Sequence, residues 1–150
     1  MAWADLSPRF KRYFTTILHA SARMPKDANT QVGSIIVDTK QKVVVSSGWN
    51  DLPRGVIHTP ELNSRPLKYK FTSHAEQSCL TNALRLNANV QDCTMLVTLA
   101  CCCQCACSIA NSGLGELVTP SPDLLHPTYG DEFKHSQEII GESGVIWTVS

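Results

Sequence analysis

Short apolar runs of strand length alternate with helix-period stretches along most of this chain, and that alternation limits the fold more than any other feature. Two β-branched runs, Val32 to Val37 and Val43 to Ser47, flank Asp38-Thr39-Lys40-Gln41-Lys42 and predict an antiparallel hairpin. Thr94 to Ala100 (TMLVTLA) is a short, mainly apolar run of strand length and predicts a buried central strand; Glu116 to Thr119 and Val145 to Val149 bring the count to five. Helices are expected between them. Ser7 before Pro8 suits an N-cap with proline at the first helical position, and Phe10, Phe14, Ile17 and Leu18 then recur at helical spacing until Pro25 stops the run. His74 to Leu86 places Ala75, Cys79, Ala83 and Leu86 on one face, Cys102 to Ser112 ends where Gly113 can close it, and Gly130 to Glu142 gives the last helix. A strand-helix-strand step within one sheet is as a rule a parallel, right-handed crossover, and three such steps follow the hairpin. The economical fold is α/β: a mixed five-stranded sheet with helices on both faces, a three-layer α/β/α arrangement in which residues 1–150 form one domain without repeat or linker.

Residues 50 to 72 break the pattern. Pro53, Gly55, Pro60 and Pro66 punctuate a polar stretch with no period, which reads as a long loop, and long loops in compact domains are commonly functional. Lys plus Arg equals Asp plus Glu at 13 each, so the chain lacks the excess of cations that a long nucleic acid demands; a small anion held by a few local cations remains open. No run is apolar enough to span a bilayer, and Met1-Ala2-Trp3-Ala4-Asp5 lacks the features of a signal peptide, so the expected location is the cytoplasm, with no membrane partner. Seven cysteines in a reducing compartment need another explanation than disulfides, and five of them crowd into Cys101, Cys102, Cys103, Cys105 and Cys107. Cys79 and Cys93 are expected to be small buried apolar residues.

Two motifs carry chemistry: His74-Ala75-Glu76, and Cys102-Cys103-Gln104-Cys105 with the one C-x-x-C spacing of the cluster. Each alone is common. Together they fit a zinc site of one imidazole and two thiolates with a fourth position left for water. Each motif opens a predicted helix, where free N–H groups and partial positive charge favour a thiolate. Glu76 can then lean over the metal without binding it and move protons between water and a substrate nitrogen. Cys101 and Cys103 stand as competing thiols. His19, His58, His126 and His135 show no ligand spacing among themselves.

H-x-E followed by P-C-x-x-C is the signature of zinc nucleobase deaminases. The chain resembles the deoxycytidylate deaminases of the cytidine-deaminase superfamily in Lys26-Asp27-Ala28-Asn29-Thr30-Gln31-Val32-Gly33, in Gly48-Trp49-Asn50-Asp51-Leu52-Pro53-Arg54-Gly55, in Ser73-His74-Ala75-Glu76 and in Thr98 to Ala106. The resemblance implies a cytidine-deaminase-like fold. It implies zinc on His74, Cys102 and Cys105, attack of zinc-activated water on C4 of the cytosine of dCMP, and Glu76 protonating N3 and helping ammonia leave. It also implies the Ala75 N–H on ring O2, the Ala100 carbonyl on the 4-amino group, Asn50 on sugar or base, and Tyr129 against the substrate. Asp51, Arg54, Gly55 and Arg85 fall where the family has a nucleotide or effector loop and a subunit contact. Relatives are often hexamers, activated by dCTP and inhibited by dTTP with Mg2+, and a homo-oligomer is expected here.

Three departures stand out. Cys101 replaces the usual proline before the first thiolate ligand, Trp49 and Asp51 replace the usual Tyr and Gly of the loop, and Ser121-Pro122-Asp123 lies where the family has a tyrosine. A zinc deaminase of another base, of a nucleoside or of transfer RNA remains an alternative; neutral charge speaks against RNA and the long loop against a free base. A non-catalytic module with structural zinc or a redox C-x-x-C is the other class, and it leaves Glu76 without a task.

Overall fold

In the computed structural model, which describes residues 1–150, the chain opens with a 3-10 turn at Trp3–Asp5 and continues as α1 (Pro8–Ser21), β1 (Gly33–Asp38), β2 (Val43–Trp49), α2 (Lys68–Phe71), α3 (Ala75–Arg85), β3 (Thr94–Val97), α4 (Cys103–Ser112), β4 (Glu116–Thr119), α5 (Gly130–Ser143) and β5 (Ile146–Val149). The five strands form one sheet in the order β2-β1-β3-β4-β5. β1 pairs antiparallel with both β2 and β3, while β3, β4 and β5 run parallel. The helix between β2 and β3 therefore carries the chain past β1, which lies between the two strands it joins. The hairpin, the mixed sheet and the two later parallel steps follow the expectation.

Side chains alternate across the sheet with period two. Ile36, Met95 and Leu117 sit opposite one another on β1, β3 and β4 and face Cys79, Cys105, Ile109 and Ile140 from α3, α4 and α5. Ile35, Leu96 and Val118 point the other way, toward Trp3, Phe14 and Leu18. One layer thus holds α3, α4 and α5 and the other α1. The N-terminus is tied to the sheet by Glu116, whose buried carboxylate accepts from the Trp3 N–H at 2.8 Å, the Thr94 hydroxyl at 3.2 Å and the Thr148 hydroxyl at 2.6 Å. Three donors are what make a buried carboxylate tolerable.

Several boundaries shift. The expected strand Thr94 to Ala100 ends at Val97, and Thr98 to Cys101 carry the chain from the sheet to α4. α1 ends at Ser21, before Pro25. The long loop is not bare, because α2 forms within it; four residues are too few for any periodicity to announce. Ser7 is the N-cap of α1 with Pro8 at N1, and Gly113 closes α4 in the left-handed region at φ +90°. No helix is long and apolar enough to cross a membrane.

Candidate active site

Two helix N-termini on the same side of the sheet meet at one point. His74 is the N-cap of α3, with extended backbone, and its N–H donates to Gln77 Oε1 at 3.1 Å. The segment before it is fixed by a backbone bridge between Ser73 and Asp51, with N···O distances of 2.8 and 3.1 Å. Cys102 is the N-cap of α4 and Cys105 its third residue, so the C-x-x-C spacing is the N-cap to N3 spacing whose side chains face each other across the first turn. Ala75 and Glu76 are the first two residues of α3.

The donor atoms of His74, Cys102 and Cys105 all lie within 4.8 Å of one another. His74 Nδ1 is 3.4 Å from the sulfur of Cys102 and 3.4 Å from that of Cys105. Zn–N of ~2.0 Å and Zn–S of ~2.3 Å at tetrahedral angles would leave about 3.5 Å between nitrogen and sulfur. One imidazole and two thiols at this spacing therefore fit zinc with a coordination position to spare. The thiols already differ in acidity. The Cys105 thiol donating to Cys102, helped against burial by His74 and the Cys105 backbone N–H, lowers Cys102 to about 4. The same shared proton, together with burial, drives Cys105 far above the usual thiol range. Cys102 in turn raises His74 above its usual value.

Glu76 is 5% exposed. Burial pushes its carboxyl up to about 7, against its own backbone N–H, the neighbouring His74 and the Cys105 thiol. A carboxyl poised near neutrality at the rim of a metal site is suited to taking a proton and giving it back. Glu76 opens onto a cavity of about 310 Å3, near the lower end of small-ligand sites, which His74, Cys102, Ala75, Ala100, Asn50 and Tyr129 also line. Glu76 and the substrate positions nominated from sequence thus share one space with two of the three metal donors, His74 and Cys102. Asn50 is buried and already engaged, its Oδ1 accepting from Val32 N–H at 2.7 Å and its amide donating to Thr30 carbonyl at 2.8 Å.

The second group of nominated residues lies elsewhere. Asp51 pairs with His58 at 3.1 Å, Arg54 donates to Asn82 Oδ1 at 2.8 Å, Gly55 turns the loop at φ +84°, and Arg85 is exposed in the last turn of α3. None of the four lines the cavity.

Among the lining residues given no site role from sequence are Asp27 and Thr30, which lie in the family-like stretch before β1, and Glu132 and Phe133. Tyr129, Glu132 and Phe133 stand at i, i+3 and i+4 at the start of α5, and that helical spacing was the available signal. Cys101 and Cys103 turn away from the ligand set. Cys101 Sγ lies 3.1 Å from Ser136 Oγ, and Cys103 Sγ donates to the Glu132 carbonyl at 3.4 Å. Burial pushes Cys101 up to about 12, and burial with the Glu132 carboxylate pushes Cys103 up to about 11; it is their direction, toward Ser136 and Glu132 and not toward His74, that keeps both out of the ligand set.

Residues 8–120 match the family model of the cytidine and deoxycytidylate deaminase zinc-binding region. Human deoxycytidylate deaminase is 32% identical over 142 residues, covering 90% of this chain and 76% of that protein. An uncharacterized deaminase of Aliivibrio fischeri is 34% identical over 122 residues, 80% of this chain and 79% of its own. The dCMP deaminase of cyanophage S-TIM5 has the same fold, with a TM-score of 0.76 over 97% of this chain and 100% of that one at 19% identity; a second structure of that enzyme, with dCMP and dUMP, gives 0.75.

Proposed function

This chain belongs to the cytidine and deoxycytidylate deaminase family, and from that premise we propose that it hydrolyses dCMP to dUMP and ammonia, with zinc held by His74, Cys102 and Cys105. The observation that carries the reading is one cavity lined by two of the three metal donors, His74 and Cys102, by a buried carboxyl near neutrality and by the cation Arg65. It offers an amino-pyrimidine nucleotide metal donors, a proton shuttle and a phosphate partner in one cavity.

Zinc bound there would supply a Lewis acid that makes water nucleophilic near neutral pH. Glu76 accepts a proton from the attacking water and delivers it to ring N3; it then takes the remaining proton of the hydroxyl added at C4 and passes it to the 4-amino nitrogen, which leaves as ammonia as the C4 oxygen becomes a carbonyl. Ala75, as the first residue of α3, has an N–H with no partner inside the helix, which suits it to ring O2. The Ala100 carbonyl accepts from the 4-amino group, Asn50 contacts the sugar or base with the hydrogen-bonding capacity that Val32 and Thr30 leave free, and Tyr129 lies against the substrate. Of the basic residues in the long loop, Arg65 and Lys68 line the cavity while Arg54 and Lys70 do not, so the phosphate is assigned to Arg65; Lys68 is committed to Asp27 at 3.0 Å. The seven cysteines, all unpaired, suit the reducing cytoplasm, with residues 1–150 acting as one domain.

The regulatory reading rests on the other cluster. Arg54 is bonded to Asn82, one helical turn from Arg85 and outside the cavity, which would suit a dCTP or Mg2+–dTTP site at a subunit contact of a hexamer. Activity with and without each triphosphate, alongside the mass in solution, tests it. The substrate is tested by steady-state kinetics on dCMP and deoxycytidine. A large dCMP preference is expected; similar kcat/KM for both would overturn the nucleotide assignment.

A further inference from the structure

We infer that Glu132 is a positioning residue of the metal centre: from α5 it clamps the first turn of α4 and so fixes where Cys102 and Cys105 present their sulfurs. The inference rests on the zinc reading above and deepens it. Its observations lie on both sides of Cys102. Cys103 N–H donates to Glu132 Oε1 at 2.8 Å, and Cys103 Sγ donates to the Glu132 carbonyl at 3.4 Å. On the other flank Cys101 Sγ lies 3.1 Å from Ser136 Oγ, with both residues fully buried. Glu132 and Ser136 are four residues apart on α5, so one face of that helix holds residues 101 and 103 and leaves 102 between them free.

The chemistry of each contact favours this division of labour. Cys103 is the first residue of α4, and its N–H has no acceptor within the helix. A carboxylate is the strongest neutral-pH acceptor for it and also suits the positive end of the helix dipole. A metal ligand held only by its own rotamer wanders, whereas one whose backbone is fixed on both sides is presented in a single geometry. The three adjacent cysteines thereby take separate tasks: the outer two are anchors on α5, and the middle one faces His74. Glu132 also lines the cavity beside Tyr129 and Phe133, so the helix that walls the substrate space is the helix that seats the metal ligands.

Two variants of matched size test this. Glu132→Gln keeps the acceptor oxygen and removes the charge; Glu132→Met removes the acceptor. Zinc affinity is measured on each purified protein by competition with a chelating dye, together with the visible spectrum of the cobalt-loaded form and the melting of the zinc-free form. Removal of an outer support of a ligand costs metal affinity about 10–100-fold, which is the expectation for Glu132→Met, with an altered cobalt spectrum and zinc-free melting lowered by no more than the few degrees that a lost helix-end acceptor costs. Glu132→Gln should bind zinc within about threefold of the parent. A Glu132→Met protein that holds zinc as tightly as the parent overturns the inference, as does a Glu132→Gln protein that loses as much as Glu132→Met. A parent that fails to hold zinc at all overturns the metal reading itself, a result distinct from either.

Discussion

Glu76 is 5% exposed and belongs to none of the ion pairs of the chain, so its burial is an expense that stability does not explain. Glu76→Ala should keep zinc and fold and lose activity by at least the ~10²–10⁴-fold that general acid–base catalysis contributes, because the residue handles more than one transfer. Turnover of dCMP and metal content on the same preparation check it, and activity within a few-fold of the parent would sink the proton-shuttle role. The thiols divide as sharply. Cys102→Ser and Cys105→Ser should release or loosen zinc; Cys101→Ser and Cys103→Ser should not, since their sulfurs lie against Ser136 and Glu132. Loss of stoichiometric zinc in Cys101→Ser alone would contradict the assignment. His74 with Glu76, and Cys102 with Cys105, were legible because each pair is a local unit at a helix start; that the two units meet, 28 residues apart, was read from their ligand chemistry and the family resemblance and not from spacing. Glu132 was not legible, because its contact with Cys103 joins residues 29 apart, and no pattern in one chain announces which helix face meets which turn.

Among elements, α3 sits on β2 with no room to spare. A Cβ at Gly48 would fall against Cys79 N and within 2.8 Å of Ala75 O and Cys79 Cα, all backbone atoms of the helix that carries His74 and Glu76. Gly48→Ala must therefore lift α3 from the sheet. Overpacking of this kind costs about 1–3 kcal/mol, read as a lower urea midpoint, and zinc should weaken because α4 does not move with it. A variant with the parent's midpoint would show that the helix seats elsewhere. The strands were legible as β-branched runs, and the hairpin as two of them close together. The order β2-β1-β3 was not, since β3 pairs with the hairpin strand remote in sequence. α2 escaped notice because it is one turn inside a proline-rich loop, yet with the residues before it α2 brings Arg65 to the cavity. The Arg65 guanidinium lies 5.7 Å from the centre of the Tyr69 ring, which steadies it. Arg65→Ala should lower kcat/KM on dCMP by roughly 10–100-fold, the worth of a hydrogen bond to a charged group, and leave deoxycytidine unchanged. An equal loss on both substrates would remove Arg65 from the phosphate.

Across the molecule, the long loop and the lead-in to β1 are joined by one ion pair, Lys68 Nζ to Asp27 Oδ2 at 3.0 Å, with side chains 8% and 10% exposed and a further contact from Lys68 to Thr30 Oγ1 at 3.5 Å. Both partners line the cavity, so the pair that closes the loop also shapes the substrate space. Burial by itself would raise the Asp27 carboxyl, but the Asn29 N–H, the Lys68 ammonium and the Thr30 N–H together outweigh it, and the pKa lies below the usual 3.8. The sign follows from linkage. A carboxylate whose folded pKa is depressed contributes stability that is fully present above its unfolded value and is lost as pH falls through the folded one. Asp27→Asn removes the charge and leaves Lys68 buried without its partner, a change of the kind that costs about 3–5 kcal/mol. That cost should appear near neutral pH, where the parent is fully paired. Below 3.8 the unfolded parent takes up a proton at Asp27 that the folded carboxylate resists until its own lower pKa is passed, so the gap in urea midpoint between parent and Asp27→Asn should narrow as pH falls through that window. The other carboxylates are common to both proteins and cancel in the difference. Urea melts of the two proteins from neutral to acid pH give that difference directly. A gap of constant size throughout would mean that the carboxylate's charge contributes nothing and that the loop is held by packing alone.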